Sequence, residues 1–303
     1  MNNGVNVLSL FDGISCGQVA LERAGIKVNT YYASEINKHA IKVTQKNFPN
    51  TIQLGDITQI NEEALDQLPE IDIVIGGSPC QDLSVYKYGT VGVEGLEGKK
   101  SNLFYHYERV LKYVKPKYFL LENVPMDKEW ENVITDLLEV NPIMINSSLV
   151  SAALRKRLYW TNIPNLTQPE DKELVIRDIA VPSQEVPEKY WYDKPFIYNG
   201  DDKKVQCTLD IKGHRNMKEV YNLNHKCNTL LADGDGGNRQ KKFFQDGRCR
   251  KAMPIEYERM QTLPDNYTEG ISDSARYSAI GNGWTVDVIS HIFSFLKIDL
   301  NNR

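Results

Sequence analysis

The sequence predicts an α/β protein: a mostly parallel sheet built from βαβ units, followed by a smaller, irregular, β-rich domain. Three observations predict it. Short apolar runs alternate with helical patterns through the first half. The carboxyl end of each predicted strand carries polar residues or glycine. From about Pro164 the texture changes, with Pro164, Pro169, Pro182, Pro187 and Pro195 close together and a glycine-rich stretch from Asp233 to Gly237. Strands that alternate with helices form right-handed crossovers, and sheets of that kind gather ligands at the carboxyl ends of their strands.

Taken in order, Val5 to Phe11 is rich in strand formers, and Asp12-Gly13 turns the chain into a helical pattern from Gln18 to Ala24. A second strand around Thr30 to Ala33 ends at Ser34-Glu35 and precedes a helix from Lys38 to Asn47. Thr51 to Leu54 leads to Gly55-Asp56, then a polar helix from Glu62 to Gln67 and the apolar strand Ile71 to Ile75. A helix from Leu103 to Val114 and a strand from Tyr118 to Leu121, ending in Glu122-Asn123, continue the alternation. Tyr159-Trp160 reads as strand, which would hold Arg155 and Arg157 on one side. Regularity returns from Ala275 to Leu296, with Asp287 to Phe295 an amphipathic helix.

The 303 residues, 41% hydrophobic and 25% charged, are enough to bury a substantial core, which excludes general disorder. No apolar run approaches the ~18 residues that span a bilayer, and Met1-Asn2-Asn3-Gly4 runs straight into a strand, so neither a membrane span nor a secretory signal is expected. Cys16, Cys80, Cys207, Cys227 and Cys249 are widely spaced with no C-x-x-C pair, which argues for free thiols, a cytoplasmic setting and no metal site. The net charge of −4 is uneven: residues 212 to 251 carry ten Lys and Arg against four acids, a net +6 within an otherwise acidic chain. Such a stretch either attracts phosphate through its local field or is a solvated basic loop.

Phe11-Asp12-Gly13-Ile14-Ser15-Cys16-Gly17 has the spacing G-x-x-x-G and lacks the middle glycine of a dinucleotide fingerprint, which disfavours a pyrophosphate cofactor and leaves a nucleoside one. Glu35, about 20 residues on, is placed for ribose hydroxyls, and Asp56 for an adenine amino group. Any one of them alone would be an ordinary turn residue; three at successive strand ends point to a nucleoside pocket. Cys80 follows Gly76-Gly77-Ser78-Pro79, a stiff turn at a strand end rather than an apolar run, and is a candidate nucleophile. No histidine lies near it in sequence, so acyl transfer by a Cys-His pair has little support.

Together these segments resemble the DNA (cytosine-5) methyltransferases. Phe11-Asp12-Gly13 resembles the family's first cofactor motif, Gly77-Ser78-Pro79-Cys80-Gln81 its Pro-Cys motif and Glu122-Asn123-Val124 its Glu-Asn-Val motif. Arg155-x-Arg157 resembles the Arg-x-Arg motif and Gly281-Asn282-Gly283 the last motif, all in family order over nearly the whole chain. Leu8-Ser9-Leu10-Phe11-Asp12-Gly13-Ile14, Ala33-Ser34-Glu35 and Val150-Ser151-Ala152-Ala153 are closest in wording to the mammalian de novo enzymes. No histone-reading or zinc extension accompanies them, so a bacterial or phage type is expected. One departure is Gly283-Trp284, where many members have Ser-Val.

The resemblance implies a Rossmann-like S-adenosylmethionine-dependent sheet at 1–165 plus 275–303 and a target-recognition domain at 166–274. It implies that Cys80 adds to C6 of a flipped-out cytosine in duplex DNA, that Glu122 serves N3 and that Asn123 orders its loop. Arg157 would contact O2 and Arg155 support the site. S-adenosylmethionine would be held by Phe11, Asp12, Gly13, Ile14, Glu35, Ile36, Asp56, Ile57 and Leu103, with Asn282, Gly283 and Trp284 completing the pocket. DNA contacts would come from Ser84, in a segment from Gln81 to Lys100 whose four glycines suit a closing loop, and from Thr229, Leu230, Arg239, Lys241 and Lys242. A cognate restriction endonuclease is a partner the resemblance allows. Two rivals stand beside this reading: a tRNA cytosine-5 methyltransferase, whose usual sequence differs from Asp82-Leu83-Ser84, and a non-catalytic DNA-binding homologue, which loss of Cys80 or Glu122 would favour.

Overall fold

The computed structural model describes residues 4–79, 102–232 and 239–296. Cys80, Ser84 and the segment Gln81 to Lys100 lie outside the described residues, as does the glycine-rich stretch from Asp233 to Gly237. The chain forms two compact units: Met1–Ile145 with Lys156–Gln168 and Ile289–Arg303, and Asn146–Arg155 with Pro169–Val288.

In the first unit β1 (Val5–Leu10) is buried at every position, as a central strand covered on both faces must be. It leads through α1 (Cys16–Arg23) to β2 (Val28–Ser34), α2 (Lys38–Asn47) and the two-residue β3 (Ile52–Gln53). Asn37 starts α2, its Oδ1 accepting from the backbone N–H groups of His39 and Ala40. Next come α3 (Glu62–Asp66), β4 (Ile73–Gly77), α4 (Leu103–Val114) and β5 (Tyr118–Asn123), then α5 (Lys128–Leu138), β6 (Ile143–Asn146) and β7 (Lys156–Thr161). The sheet order is β3-β2-β1-β4-β5-β7-β6, parallel from β3 to β5 and antiparallel where β5 meets β7. Helix α5 and strand β6 are elements that the sequence pattern does not announce.

Leu8, Leu10, Val74, Leu121, Phe104, Tyr107 and Trp160 form the core on one side of this sheet. Each apolar side chain of that size contributes about 1.5–3 kcal/mol on burial, so the core holds the strand ends firmly in register. Gly76 belongs to the same packing. A Cβ there would lie 2.9 Å from both the Leu10 carbonyl oxygen and the Tyr107 ring, so only glycine lets α4 and β1 approach β4 this closely.

The second unit is built on a five-stranded sheet. Its elements are α6 (Ile176–Ile179), β8 (Phe196–Tyr198), β9 (Val205–Leu209), α7 (Arg215–Lys218), β10 (Glu219–Asn222), β11 (Lys242–Gln245) and β12 (Arg248–Lys251). Helices α8 (Pro254–Met260) and α9 (Asp273–Asn282) follow, and α10 (Val286–Phe293) carries the chain back to the first unit. The sheet order is β12-β11-β10-β9-β8, around a small core of Cys207, Leu209, Val220 and Cys249. Cys16, Cys207, Cys227 and Cys249 are all buried free thiols.

Candidate functional site

At the carboxyl end of the first sheet, β1 and β2 end level with one another, Leu10 opposite Ser34. The backbone beyond β1 turns through three left-handed residues in five: Phe11 (φ 58), Gly13 (φ 59) and Ser15 (φ 56). Only the glycine takes that conformation without cost, so contacts must hold the other two. They are present. Gly13 N–H donates to Glu35 Oε2 at 2.7 Å, and Glu35 Oε1 accepts from the N–H groups of Ile36 and Asn37, each at 2.8 Å. Asp12 accepts from Tyr31 Oη at 2.8 Å and from the Ser15 hydroxyl. Burial first of all pushes the Asp12 carboxyl up to about 6, against the pull of those hydroxyls.

Three backbone donors use three of the roughly four acceptor positions of the Glu35 carboxylate, which leaves room for one further hydroxyl. Ile36 beside it is 70% exposed, an apolar face next to an acceptor. Asp56 caps the short helical turn Ile57–Gln59 by accepting from Thr58 N–H at 2.9 Å. Ile14 and Ile57 point into the core, so what they offer a ligand is backbone. Leu103, in the first turn of α4, packs against the same core. An acceptor for hydroxyls and an exposed apolar side chain after β2, with a second acid after the adjacent β3, fit an adenine nucleoside. Nothing in the sequence pattern singles out Arg109, yet its guanidinium donates to the Ile60 carbonyl at 2.7 Å and pins the turn that Asp56 caps.

Further along the same edge, Glu122 lies opposite Gly77 in the parallel pairing of β4 and β5. Asn123 Nδ2 donates to Ser78 Oγ at 3.0 Å, and Asn123 Oδ1 accepts from Val124 N–H at 2.8 Å. The loop leading toward Cys80 is thus tied to the strand that carries Glu122. From β7, Arg157 Nε approaches Glu122 Oε1 to 2.7 Å with both side chains nearly buried, a close ion pair without the in-line angle of a hydrogen bond.

Arg155 departs from expectation. β7 begins one residue after it, and the two guanidinium groups have different partners: Arg157 pairs with Glu122, whereas Arg155 is buried and donates to the Gly281 carbonyl at 3.1 Å. In the second unit Arg155 belongs to a knot of three segments. Thr229 Oγ1 donates to the Leu154 carbonyl at 2.8 Å, Leu154 N–H to Cys227 O at 2.9 Å, and Cys227 N–H to Ala152 O at 2.9 Å. At Gly281 a Cβ would sit 2.4 Å from the Leu231 carbonyl oxygen. Gln261 Nε2 fixes the Ile280 and Gly283 carbonyls at 3.0 Å each; Asn282 is exposed and Trp284 half-buried.

The basic stretch needs a larger correction. Lys242 is 1% exposed and donates to the Gln240 carbonyl; burial, then the charges of Lys241 and Lys251, push its pKa down to about 8. It cannot meet a phosphate as expected. Lys241 is half-buried and its pKa is likewise lowered by burial. Arg250 is wholly buried in a two-pronged pair with Glu256, at 2.8 and 2.5 Å. Leu230 is buried too, so it is a core residue rather than a surface contact. Of the expected DNA contacts among the described residues, Arg239 alone is exposed, and Thr229 and Lys241 partly so.

Comparison with known sequences agrees with this layout. The profile of the C-5 cytosine-specific DNA methylases matches residues 5–140 and 148–297. The chain belongs to that family. It is a DNA (cytosine-5) methyltransferase of bacterial or phage type, and the methyl donor of the family is S-adenosylmethionine. It is similar to the Type II methyltransferase M.HhaI of Haemophilus parahaemolyticus, 26% identical over 324 residues that cover 98% of this chain and 96% of that one. To M.Bsp6I of Bacillus sp. it is 28% identical over 313 residues, 95% and 97% of the two chains. Its fold matches the Entamoeba histolytica methyltransferase EhMeth with a TM-score of 0.74 over 96% of this chain and 97% of that one, at 19% identity. No helix among the described residues is long and apolar enough to cross a membrane.

Proposed function

We propose that methyl transfer runs through Cys80, Glu122 and Arg157, and that the observation carrying this reading is the Glu122–Arg157 pair beside the Ser78–Asn123 tie. Cytosine C5 is a poor nucleophile until the ring is activated. The Cys80 thiolate adds to C6, forming a C–S bond, while Glu122 delivers a proton to N3 and so drains charge from the ring. Arg157 holds positive charge where O2 becomes more negative, and its contact with Glu122 fixes the orientation of both. Asn123 keeps the nucleophile loop and the Glu122 strand in step. S-adenosylmethionine, when bound, supplies an electrophilic methyl group. C5 takes that methyl, with S-adenosylhomocysteine as leaving group; loss of the C5 proton to a base then breaks the C6–S bond, returns Cys80 as thiolate and gives the N3 proton back to Glu122. A base inside a duplex cannot be reached in this way, so the cytosine is flipped out.

Glu35 and Asp56, with Phe11 to Ile14, Ile36, Ile57 and Leu103, are the groups we assign to the cofactor in the first unit; a cofactor role for Asn282, Gly283 and Trp284 rests on family likeness alone. Residues 166–274 act as the target-recognition domain, with Thr229 holding backbone and Arg239 meeting phosphate. Ser84 is assigned to DNA on family likeness alone, and Arg155 supports the Gly281 segment. Action in the cytoplasm, with or without a cognate restriction endonuclease, completes the reading. Bisulfite sequencing of plasmid DNA from cells expressing the protein tests it. Protected cytosines within one short sequence are expected from the natural chain and not from Glu122→Gln; unprotected plasmid from the natural chain overturns it.

A further inference from the structure

We propose that Asp12 is a positioning residue for the cofactor, and that its ionised carboxylate is what holds the turn after β1 in the shape that presents Gly13 to Glu35. The geometry carries this. One carboxylate oxygen accepts from Tyr31 Oη of β2 at 2.8 Å and the other from the Ser15 hydroxyl within the turn, with the Glu35 carboxylate just beyond β2 as a repelling neighbour. Ser15 is in turn contacted by Gln18 Nε2 of α1 and Thr44 Oγ1 of α2, each at 3.2 Å, so β2, α1 and α2 are joined to the turn through the Asp12–Ser15 pair. The charged neighbour that acts on Asp12 is Glu35, which raises its pKa further.

Tyr31 and Ser15 each donate to a different oxygen of Asp12, so both oxygens serve as acceptors, as those of an ionised carboxylate do. Once protonated, Asp12 is itself a donor at one of these oxygens, and the hydroxyl facing it must turn away. Ser15, at φ 56 without glycine's freedom, has most to lose. The rest of Asp12 keeps some exposed surface, but the carboxyl lies inside, and burial raises it to about 6. The sign matters. A carboxyl whose folded value lies above its unfolded one favours folding at low pH and loses that contribution as pH rises toward 6. Folding alone would therefore prefer a neutral group here, and the ionised form is kept for what it does to the turn. Cofactor affinity should accordingly be full above pH 6 and fall as pH drops through about 6.

This rests on the cofactor assignment proposed above, so the test separates the two. Titration calorimetry of the full chain with S-adenosylhomocysteine, from about pH 8 to about pH 5, is run on the natural protein and on Asp12→Asn, Ser15→Ala and Glu35→Ala. Expected are a break near pH 6 in the natural protein, its absence in Asp12→Asn, and affinity about tenfold weaker at high pH in that variant, the worth of one charge-assisted hydrogen bond. Ser15→Ala should weaken binding less and keep the break. Retention of the break in Asp12→Asn, or natural affinity in Asp12→Asn at every pH, overturns the proposal while a weakened Glu35→Ala leaves the site standing. Natural affinity in Glu35→Ala overturns the site itself. Near-ultraviolet circular dichroism shows whether each variant is folded.

Discussion

The turn after β1 and the basic stretch around β11 and β12 make opposite use of charge. In the first, Asp12 and Glu35 are charged groups surrounded by neutral donors, and the donors belong to backbone and hydroxyls that shape a loop. In the second, Arg250 and Lys242 look in sequence like groups for an outside anion, yet lie within the fold, Arg250 satisfied by Glu256 and Gln245. A charge at a strand end of a parallel sheet is already at the ligand-binding edge; a charge in an irregular β-rich unit has no such address. Density of lysine and arginine therefore says less about a surface than position in a regular topology does.

The largest effect that sharpens this contrast concerns the strand end whose turn carries Cys80. DNA with 5-fluorocytosine at the target should be trapped, because fluorine stands where the departing proton would be and the C6–S bond cannot then break. Cys80→Ser should remove the adduct entirely, since a hydroxyl is almost wholly protonated at neutral pH. Peptide mapping that places the adduct on Cys16, Cys207, Cys227 or Cys249 would sink the mechanism, and the burial of these four already argues against it.

On the other side of the comparison, Arg250→Ala should cost about 3–5 kcal/mol in urea unfolding, because it strands Glu256 as a buried, unpaired charge. A loss of DNA affinity without a loss of stability would return Arg250 to the surface.

Legibility follows the same divide. Phe11, Glu35, Asp56, Cys80 and Glu122 stand out because strand periodicity and polar residues coincide at each strand end. Tyr31 and Arg109, which brace the loop and the turn, carry no such signal: each is an ordinary residue within a regular element, and only packing brings it to Asp12 or Ile60. Lys242 and Leu230 mislead in sequence because burial in β11 and its surroundings depends on non-local pairing, with β10 and β11 parallel across a long connection. For Arg155 the difference is a single residue at a strand boundary, enough to hand it another partner.

A smaller effect tests the surface directly. The slope of log DNA affinity against log salt should fall in magnitude by about 0.9 in Arg239→Ala, as when one phosphate is no longer neutralised, and stay unchanged in Lys242→Met. Equal slopes in the two variants would erase the distinction drawn between them. Smallest is Tyr107→Phe: the Tyr107 hydroxyl is buried without a hydrogen-bond partner among the described residues, so removing it should raise stability by about 1 kcal/mol. A destabilised variant would mean that the hydroxyl has a use.

The knot at Gly281 bears on how such proteins exchange specificity. Recognition segments are natural cargo for recombination between relatives, and a crossover is tolerated only where few contacts are cut. Here the backbone at Leu231–Ala232 passes so close to Gly281 that a Cβ there finds no room, while Thr229 and Cys227 stitch the same stretch to Ala152–Leu154. A chimaera joined anywhere between residues 232 and 281 inherits one half of that fit from each parent. Breakpoints should therefore fall before residue 146 and after residue 283, so that a new recognition segment travels with its own glycine.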